Sequence, residues 1–527
     1  MTRRRYAFTL GDVVRENARS LPDVEAIVCG PDRLTYRRLD DRVNRTAALL
    51  AAAGAARGDR VAWVGHSCHR TIEMLFACAK LAAVLAPVNW RQSADELTWT
   101  IRQVAPRVLA TMSAPDLAAA VDVARLAAPE AAVLVPDDPG YERRLSTAGP
   151  ADPAADDDDE LPVLEMFTAA FSGRPRGALL SHRGIVSQDM VMAAMRQVEP
   201  DEVYLASGPM FHIGVLLKLF ATLHLGGRTV IVPRAEPEAV CRAVAAERCT
   251  SAFLFTPTIG EITALNSDGR YDLSSLRSVP GRPPREASES WYSMTSCTIP
   301  NGSGVTGYGQ TETVGMVTFE DRPPAGGTGA FGRPSPMVAL RILDEDRREV
   351  PDGEAGEIAV RGPQLMLGYH DAGPGPDGWH LTSDLGRREL DGTVSFLGPK
   401  LDLIKTGMEN VYPAEVENVL RRHPAIADAC VIGVPDPVWG QSVRAVVQPR
   451  PDAEVDTGEV IGFVRERIAS YKKPKSVIVV DALPRSGPAV DRDEVKRRWS
   501  GPEQRPRDCL SLTLSFHRGL GLAARQT

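Results

Sequence analysis

A chain of 527 residues, 43% hydrophobic and 24% charged, is long enough to bury several cores and to divide into two or more domains. Its net charge of −7 gives no reason to expect nucleic acid or an anionic membrane as partner, and no apolar run reaches membrane-spanning length. The eight cysteines (29, 68, 78, 241, 249, 297, 430, 509) show neither a CxxC pair nor metal-ligand spacing, and no apolar signal core follows the basic start MTRRRYAFTL, so reduced thiols in a cytoplasmic protein are expected.

The first third alternates helix-like and strand-like segments. Thr35 to Gly54 sets Leu39, Val43, Ala47 and Leu50 on one stripe, a helix that Gly54 stops. A strand over 61–64, a helix over 71–84, an apolar stretch over 85–88, a helix over 94–104 and a strand over 108–112 follow. This βαβ rhythm predicts an α/β fold in which helices cover both faces of parallel sheets. The segment 150–160, with four consecutive Asp, reads as a solvated linker rather than a metal site.

Directly after it, Thr168 to His182 reads TAAFSGRPRGALLSH, the outline of a phosphate-gripping loop that opens onto a helix. Such a loop needs glycines for close backbone approach, with hydroxyls and a Lys to meet the charge. Here the centre is Ala169, Ala170 and Phe171, and the basic position is Arg176. From Val338 to Gly362 the pattern turns period-two with Asp-Gly turns, which predicts an antiparallel hairpin in a β-rich subdomain. A smaller α+β domain is expected to start at Gly398. The expected division is therefore 1–397, 398–500 and an Arg-, Pro- and Gln-rich tail, 501–527.

Seven segments arrive in a fixed order: the loop at Thr168, PMFHIG at Pro209, GYGQTE at Gly307, GWHLTSDLG at Gly378, GPKLDLIKTGMENVYPAEVE at Gly398, VIGVPDPVWGQ at Val431 and YKKPK at Tyr471. In these the chain resembles, from about Leu10 to Lys496, the adenylate-forming superfamily of acyl-CoA synthetases, stand-alone adenylation domains and firefly luciferase. The resemblance implies a large N-terminal domain that holds nucleotide and acyl group, and a small C-terminal domain that rotates between two half-reactions. First a carboxylate attacks the α-phosphate of ATP to give an acyl-adenylate and pyrophosphate. Then a thiol, usually that of coenzyme A, displaces AMP.

Site residues follow from the same resemblance. Asp384 matches the ribose-binding carboxylate, and Tyr308, beside Gly309, the adenine-stacking aromatic. Thr311 and Glu312 match the phosphate- and magnesium-contacting pair; taken alone, the TE pair reads equally as a capped helix start. Glu312 is thus the candidate magnesium ligand, with no tightly bound cofactor expected. Trp439, Tyr471, Lys473 and Lys475 fall where coenzyme A-using members hold the CoA nucleotide; the alternative for YKKPK is a solvated basic turn. His212, Gly407 and Lys473 are the catalytic candidates. The acyl pocket is expected from Phe211, His212, Pro257, Thr258 and Gly307, and Gly304, Gly307 and Gly315 suggest a roomy site for a bulky hydrophobic acid.

The triphosphate side departs from the pattern. Besides Ala169, Ala170 and Arg176, Pro399 replaces an Arg that reaches ribose and triphosphate, Leu401 sits at the hinge, and VPGRPPRE surrounds Gly281. Val490 stands where adenylating members carry the Lys that bridges carboxylate and α-phosphate; Arg485 or Arg492 is the alternative cation. Met408, beside Gly407, narrows the expected pantetheine tunnel and counts the other way.

Joining a carboxylate to a tetra-anionic triphosphate needs dense positive charge, whereas thioester formation mainly needs a positioned thiol and excluded water. The expectation is therefore transfer from a preformed acyl-adenylate to coenzyme A, with acyl-AMP and CoA as small-molecule ligands, a separate adenylating ligase as partner and a homodimer as the expected oligomer. The chain is similar in this to ATP-impaired ligase homologues of bacterial natural-product pathways, terpenoid ones among them. A complete ATP-dependent synthetase, a non-catalytic adenylate-binding protein and a transferase onto a carrier-protein thiol remain alternatives.

Overall fold

The computed structural model describes residues 7–153, 158–168, 175–196, 198–252, 254, 256–276, 307–319, 332–373, 378–400, 403–407, 409–451, 453–486 and 489–501. Ala169, Ala170, Phe171, Gly281, Gly304, Leu401, Met408 and the tail beyond Gly501 lie outside them.

The large N-terminal domain is built on two sheets with mostly parallel strands. One orders Ser251–Ala252, Val203–Ala206, Arg228–Ile231, Glu25–Cys29 and Asp32–Thr35; the other runs Gly368–Tyr369, Arg176–Ser181, Pro162–Thr168, Val84–Pro87, Arg60–Val64, Val108–Thr111 and Ala132–Leu134. Antiparallel pairing is confined to one edge of each. The expected helix is Tyr36–Ala52, capped by Thr35, and Leu39, Val43, Ala47 and Leu50 are fully buried. Helix His69–Leu81 starts two residues earlier than expected and ends three earlier, where Ala82 takes a left-handed conformation.

A four-stranded antiparallel sheet follows, from Ala339–Leu343, Ala355–Arg361, His380–Arg388 and Val394–Pro399. Its first two strands are the expected hairpin. The small C-terminal domain has its own sheet, in which Ile426–Asp436 and Gly440–Pro449 form the long central pair. Helix Pro413–Leu420 packs on it through Val416, Val419 and Leu420, and Pro413 occupies the first turn, where its missing N–H leaves no bond unmade.

Two local expectations are corrected. The segment at Thr168 does not open directly onto a helix. Thr168 pairs with Arg176 across an antiparallel hairpin, and strand Arg176–Ser181 intervenes before helix His182–Arg196. The RGALLS run buries Ala178 and Leu180, which fixes it as a strand. The acidic linker is not merely solvated either, since Asp152 pairs with Arg15 and Lys80, and Asp159 with Arg183.

Cys29, Cys68, Cys78, Cys241, Cys249 and Cys430 are buried free thiols. No helix among the described residues is long and apolar enough to cross a membrane.

Candidate active site

The strongest convergence of expected residues lies between the GYGQTE segment and the antiparallel sheet. Asp384 is 9% exposed, and its Oδ2 accepts from the Tyr308 hydroxyl and from Gln310 Nε2, each at 2.7 Å. Burial pushes the Asp384 carboxyl up, against the hydrogen bond from Tyr308, the charge of Lys405 and the bond from Gln310. Gln310 also donates to the Thr382 carbonyl at 2.8 Å. The residue before Asp384, Ser383, has a φ of +57°, a left-handed conformation that costs a non-glycine residue free energy. It is held there from both sides: its N–H donates to Glu357 and its carbonyl accepts from the Lys400 N–H. Pro399 ends the neighbouring strand, opposite Asp384 in the register.

Tyr308 is buried and stacks on Phe396 with ring centroids 5.7 Å apart. Lys405 Nζ lies 4.6 Å from the Phe396 ring centre. Thr311 and Glu312 belong to a single 3-10 turn that Gln310 and Thr313 cap, so the local capping alternative holds in form. Glu312 accepts from the Tyr369 hydroxyl at 2.7 Å. No group of three His, Cys, Asp or Glu side chains among the described residues could hold a metal ion.

The expectation that Gly307 and Gly315 open a roomy pocket is corrected. A Cβ on Gly307 would collide with the Met316 side chain and the Thr318 carbonyl, and one on Gly315 with Leu217. These glycines allow close approach of neighbouring groups; they do not leave space. Thr258 and Pro257 lie on helix Thr256–Leu265.

A second cluster joins the domains. His212 immediately precedes helix Ile213–His224 without a side-chain cap, and its Nε2 lies 3.6 Å from Glu409 Oε1. Arg91 reaches both, 2.6 Å from Glu409 and 3.4 Å from His212, and lies over the buried Phe211 ring at 5.0 Å. Burial raises the Glu409 carboxyl, but His212, Arg91 and Lys472 outweigh it and hold it below the usual carboxylate range.

Gly407 lies in the same small-domain hairpin as Glu409, with a φ of +63°. Its N–H donates to the Trp439 carbonyl at 2.8 Å, and a Cβ there would come within 3.0 Å of the Trp439 ring. Trp439 is 44% exposed, and Lys475 sits 5.7 Å from its ring centre while pairing with Asp436 at 2.9 Å. Burial raises the Asp436 carboxyl, but Lys475 and the N–H groups of Trp439 and Val438 bring it to about 2. Lys473 folds back on Ser470. Tyr471 packs against the small-domain core, so it stands apart from the exposed Trp439–Lys475 face.

On the triphosphate side, Arg176 is 2.6 Å from Asp371 and stacks 3.8 Å over the Tyr369 ring. Val490 packs against Cys430, Ile432, Val434, Leu483 and Val495. Arg485 pairs with Asp428, and Arg492 with Glu417 and the Val431 carbonyl. Both cations are thus tied to carboxylates of their own domain, and a rigid rotation of that domain does not release them.

Sequence reasoning missed Arg91, Gln310, Ser383 and Lys472. Gln310, Ser383 and Lys472 lie inside the GYGQTE, GWHLTSDLG and YKKPK segments, whereas Arg91 lies in none of them and acts through Glu409, 318 residues away.

The chain matches the AMP-binding enzyme family over residues 14–370 and the AMP-binding enzyme C-terminal domain over 415–489. It is 35% identical to a feruloyl-CoA synthase of an Amycolatopsis species over 508 residues, 93% of this chain and 99% of that one. It is 33% identical to an indoleacetate–CoA ligase of Aromatoleum aromaticum, covering 89% and 94%. In structure it is similar to a double mutant of the o-succinylbenzoate CoA synthetase of Bacillus subtilis, bound to a product analogue, with a TM-score of 0.78, 24% identity and 92% and 98% coverage. The chain belongs to the AMP-binding enzymes, in their acyl-CoA ligase branch.

Proposed function

We propose that this protein forms an acyl thioester from an acyl-adenylate and coenzyme A, and that its own adenylation by ATP is slow. The thiol sulfur attacks the acyl carbon, the mixed-anhydride C–O bond breaks, AMP leaves with that electron pair, and the thiol proton passes to solvent. Asp384 would accept from the ribose hydroxyls, and Tyr308 would lie against adenine. His212 would gate the approach to the acyl carbon, beside Gly407. Trp439, Lys473 and Lys475 would face the CoA nucleotide, and a domain boundary near Gly398 would let the small domain turn.

The observation that carries the reading is Val490 in its apolar cluster, at the position where adenylating relatives place a Lys, with Arg485 and Arg492 already paired. Losing one preorganised donor from a developing charge costs about a hundred- to a thousand-fold in rate. Transfer from a finished adenylate does not meet that barrier. The adenylate would then come from a separate ligase.

A second reading, a complete ATP-dependent acyl-CoA ligase, is favoured by the 33–35% identity to relatives named as feruloyl-CoA synthase and indoleacetate–CoA ligase. Their names point to an aromatic carboxylic acid under either reading. A magnesium ion carried by the triphosphate needs only one or two protein carboxylates, and Glu312 fits that need. The deciding experiment gives ferulate with ATP, magnesium and coenzyme A, or preformed feruloyl-adenylate with coenzyme A. Thioester from the adenylate alone supports the first reading; equal rates from both establish the second.

A further inference from the structure

Among the described residues, the most deeply buried cation at the domain interface is one whose charge also bears on Glu409. Lys472 is 2% exposed, and its Nζ lies 2.5 Å from Glu96 of the large domain and 2.7 Å from Glu415 of the small one. The other Glu96 oxygen accepts from the Ala469 N–H at 2.8 Å, and the Ser93 hydroxyl donates to the Arg467 carbonyl at 3.1 Å. The first turn of helix Ala94–Val104 is therefore docked on residues 467–472 of the small domain.

Glu96 serves two structures at once. Within its own helix it completes a capping box, accepting from the Ser93 N–H at 2.9 Å while its own N–H donates to the Ser93 hydroxyl. The same carboxylate then holds the other domain. Glu415 contributes one oxygen to Lys472, and its second has no partner among the described residues, so Lys472 is the charge that neutralises two facing carboxylates.

Arg91, five residues before Glu96, holds Glu409 of the hairpin that carries Gly407. Both contacts cross the same domain boundary. If the small domain turned away, Lys472 would keep Glu415 and lose Glu96.

We propose that Glu96 and Lys472 are positioning residues, a latch that holds the small domain with its Gly407 hairpin against His212 for thioester formation. The latch rests on the thioester-forming step of the proposed function and is independent of whether the chain also adenylates.

The test uses the full chain with feruloyl-adenylate and coenzyme A. Glu96→Gln keeps the helix cap, because Gln serves equally at that position. It removes the charge that Lys472 meets. Its kcat for thioester formation should fall about tenfold, the low end for a hydrogen bond between charged groups, with KM for the adenylate unchanged. Lys472→Met should fall as far. Small-angle X-ray scattering reads the same latch without chemistry, and Glu96→Gln should raise the radius of gyration. An unchanged kcat together with unchanged scattering overturns the latch. A wild-type chain that makes no thioester sinks the proposed function, and the scattering comparison still decides the latch.

Discussion

The region expected to face ribose and the region expected to face triphosphate come from different sheets, and their polar groups are committed differently. Around Asp384, two contacts converge on the buried carboxylate: Tyr308 and Gln310 donate to one oxygen, and the residue before it, Ser383, is strained. On the triphosphate side, Arg176 is spent on Asp371 and Tyr369, Arg485 and Arg492 on their own domain, and Val490 on an apolar cluster. The difference teaches that polar groups of one fold can gather on a buried acceptor in one region and be held in separate ion pairs in another. Fold similarity and half-reaction competence are separate properties of the chain.

The largest effect should come from the ribose side. Asp384→Ala removes the charged acceptor and leaves the Tyr308 hydroxyl and the Gln310 amide without it. With hydrogen bonds to charged groups worth about 1.5–3 kcal/mol, affinity for a non-hydrolysable acyl-AMP analogue should weaken on the order of a hundredfold. Calorimetric titration measures it, and unchanged affinity would break the comparison at its stronger half.

Val490→Lys attacks the weaker half. Val490 is partly exposed at the edge of its cluster, so a Lys stem can cover the same apolar surface while its head reaches solvent. Acid-dependent exchange of labelled pyrophosphate into ATP should rise at least tenfold above the wild-type level, toward the range that one positioned donor contributes. No rise would move the block to the loop at 169–174 and to Pro399.

Much of this was legible in the chain. The stripe Leu39, Val43, Ala47, Leu50 and the Pro413 helix follow from period and capping, which are local. The hairpin from Ala339 to Arg361 follows from period-two alternation and turn residues. What stayed hidden was set by partners far along the chain. Nothing near Glu96 in sequence marks Lys472, 376 residues away, as its counter-ion. The glycines at 307 and 315 misled for the same reason: a missing side chain is read as space, but Met316, Thr318 and Leu217 fill it. The Thr168 segment has the outline of a loop into a helix, and what decides otherwise is the antiparallel pairing of RGALLS with strand Pro162–Thr168, which a local pattern does not mark.

A smaller effect separates the domains' contributions. Gly407 holds a φ of +63° against the Trp439 ring, and Gly407→Ala places a methyl 3.0 Å from Cε3 of that ring. The left-handed penalty alone is about 1–2 kcal/mol. Thioester formation should drop about tenfold while adenylate affinity stays at the wild-type value, because Asp384 and Tyr308 lie elsewhere. A loss of adenylate affinity as well would mean that the two regions are coupled and the comparison too simple.

The smallest effect is one of pH, at the contact where the small domain meets His212. Glu409 is held below the usual carboxylate range because His212, Arg91 and Lys472 outweigh its burial. A carboxyl whose folded value is depressed contributes stability above its unfolded value, about 4.3 for Glu, and loses it as pH falls through the folded value. Above about pH 5 Glu409 is ionised in the folded and the unfolded chain, so its own titration adds no slope there. Glu409→Gln removes the contribution at every pH, so the variant should unfold at lower denaturant than wild type at pH 7, and the gap should close below about pH 4. Its thioester rate should fall only a few-fold, since Arg91 keeps its stacking on Phe211 and the Glu96–Lys472 contact stands. A gap that instead widens on acidification would show that Glu409 is not held as an anion, and that Arg91 closes the interface through Phe211 alone.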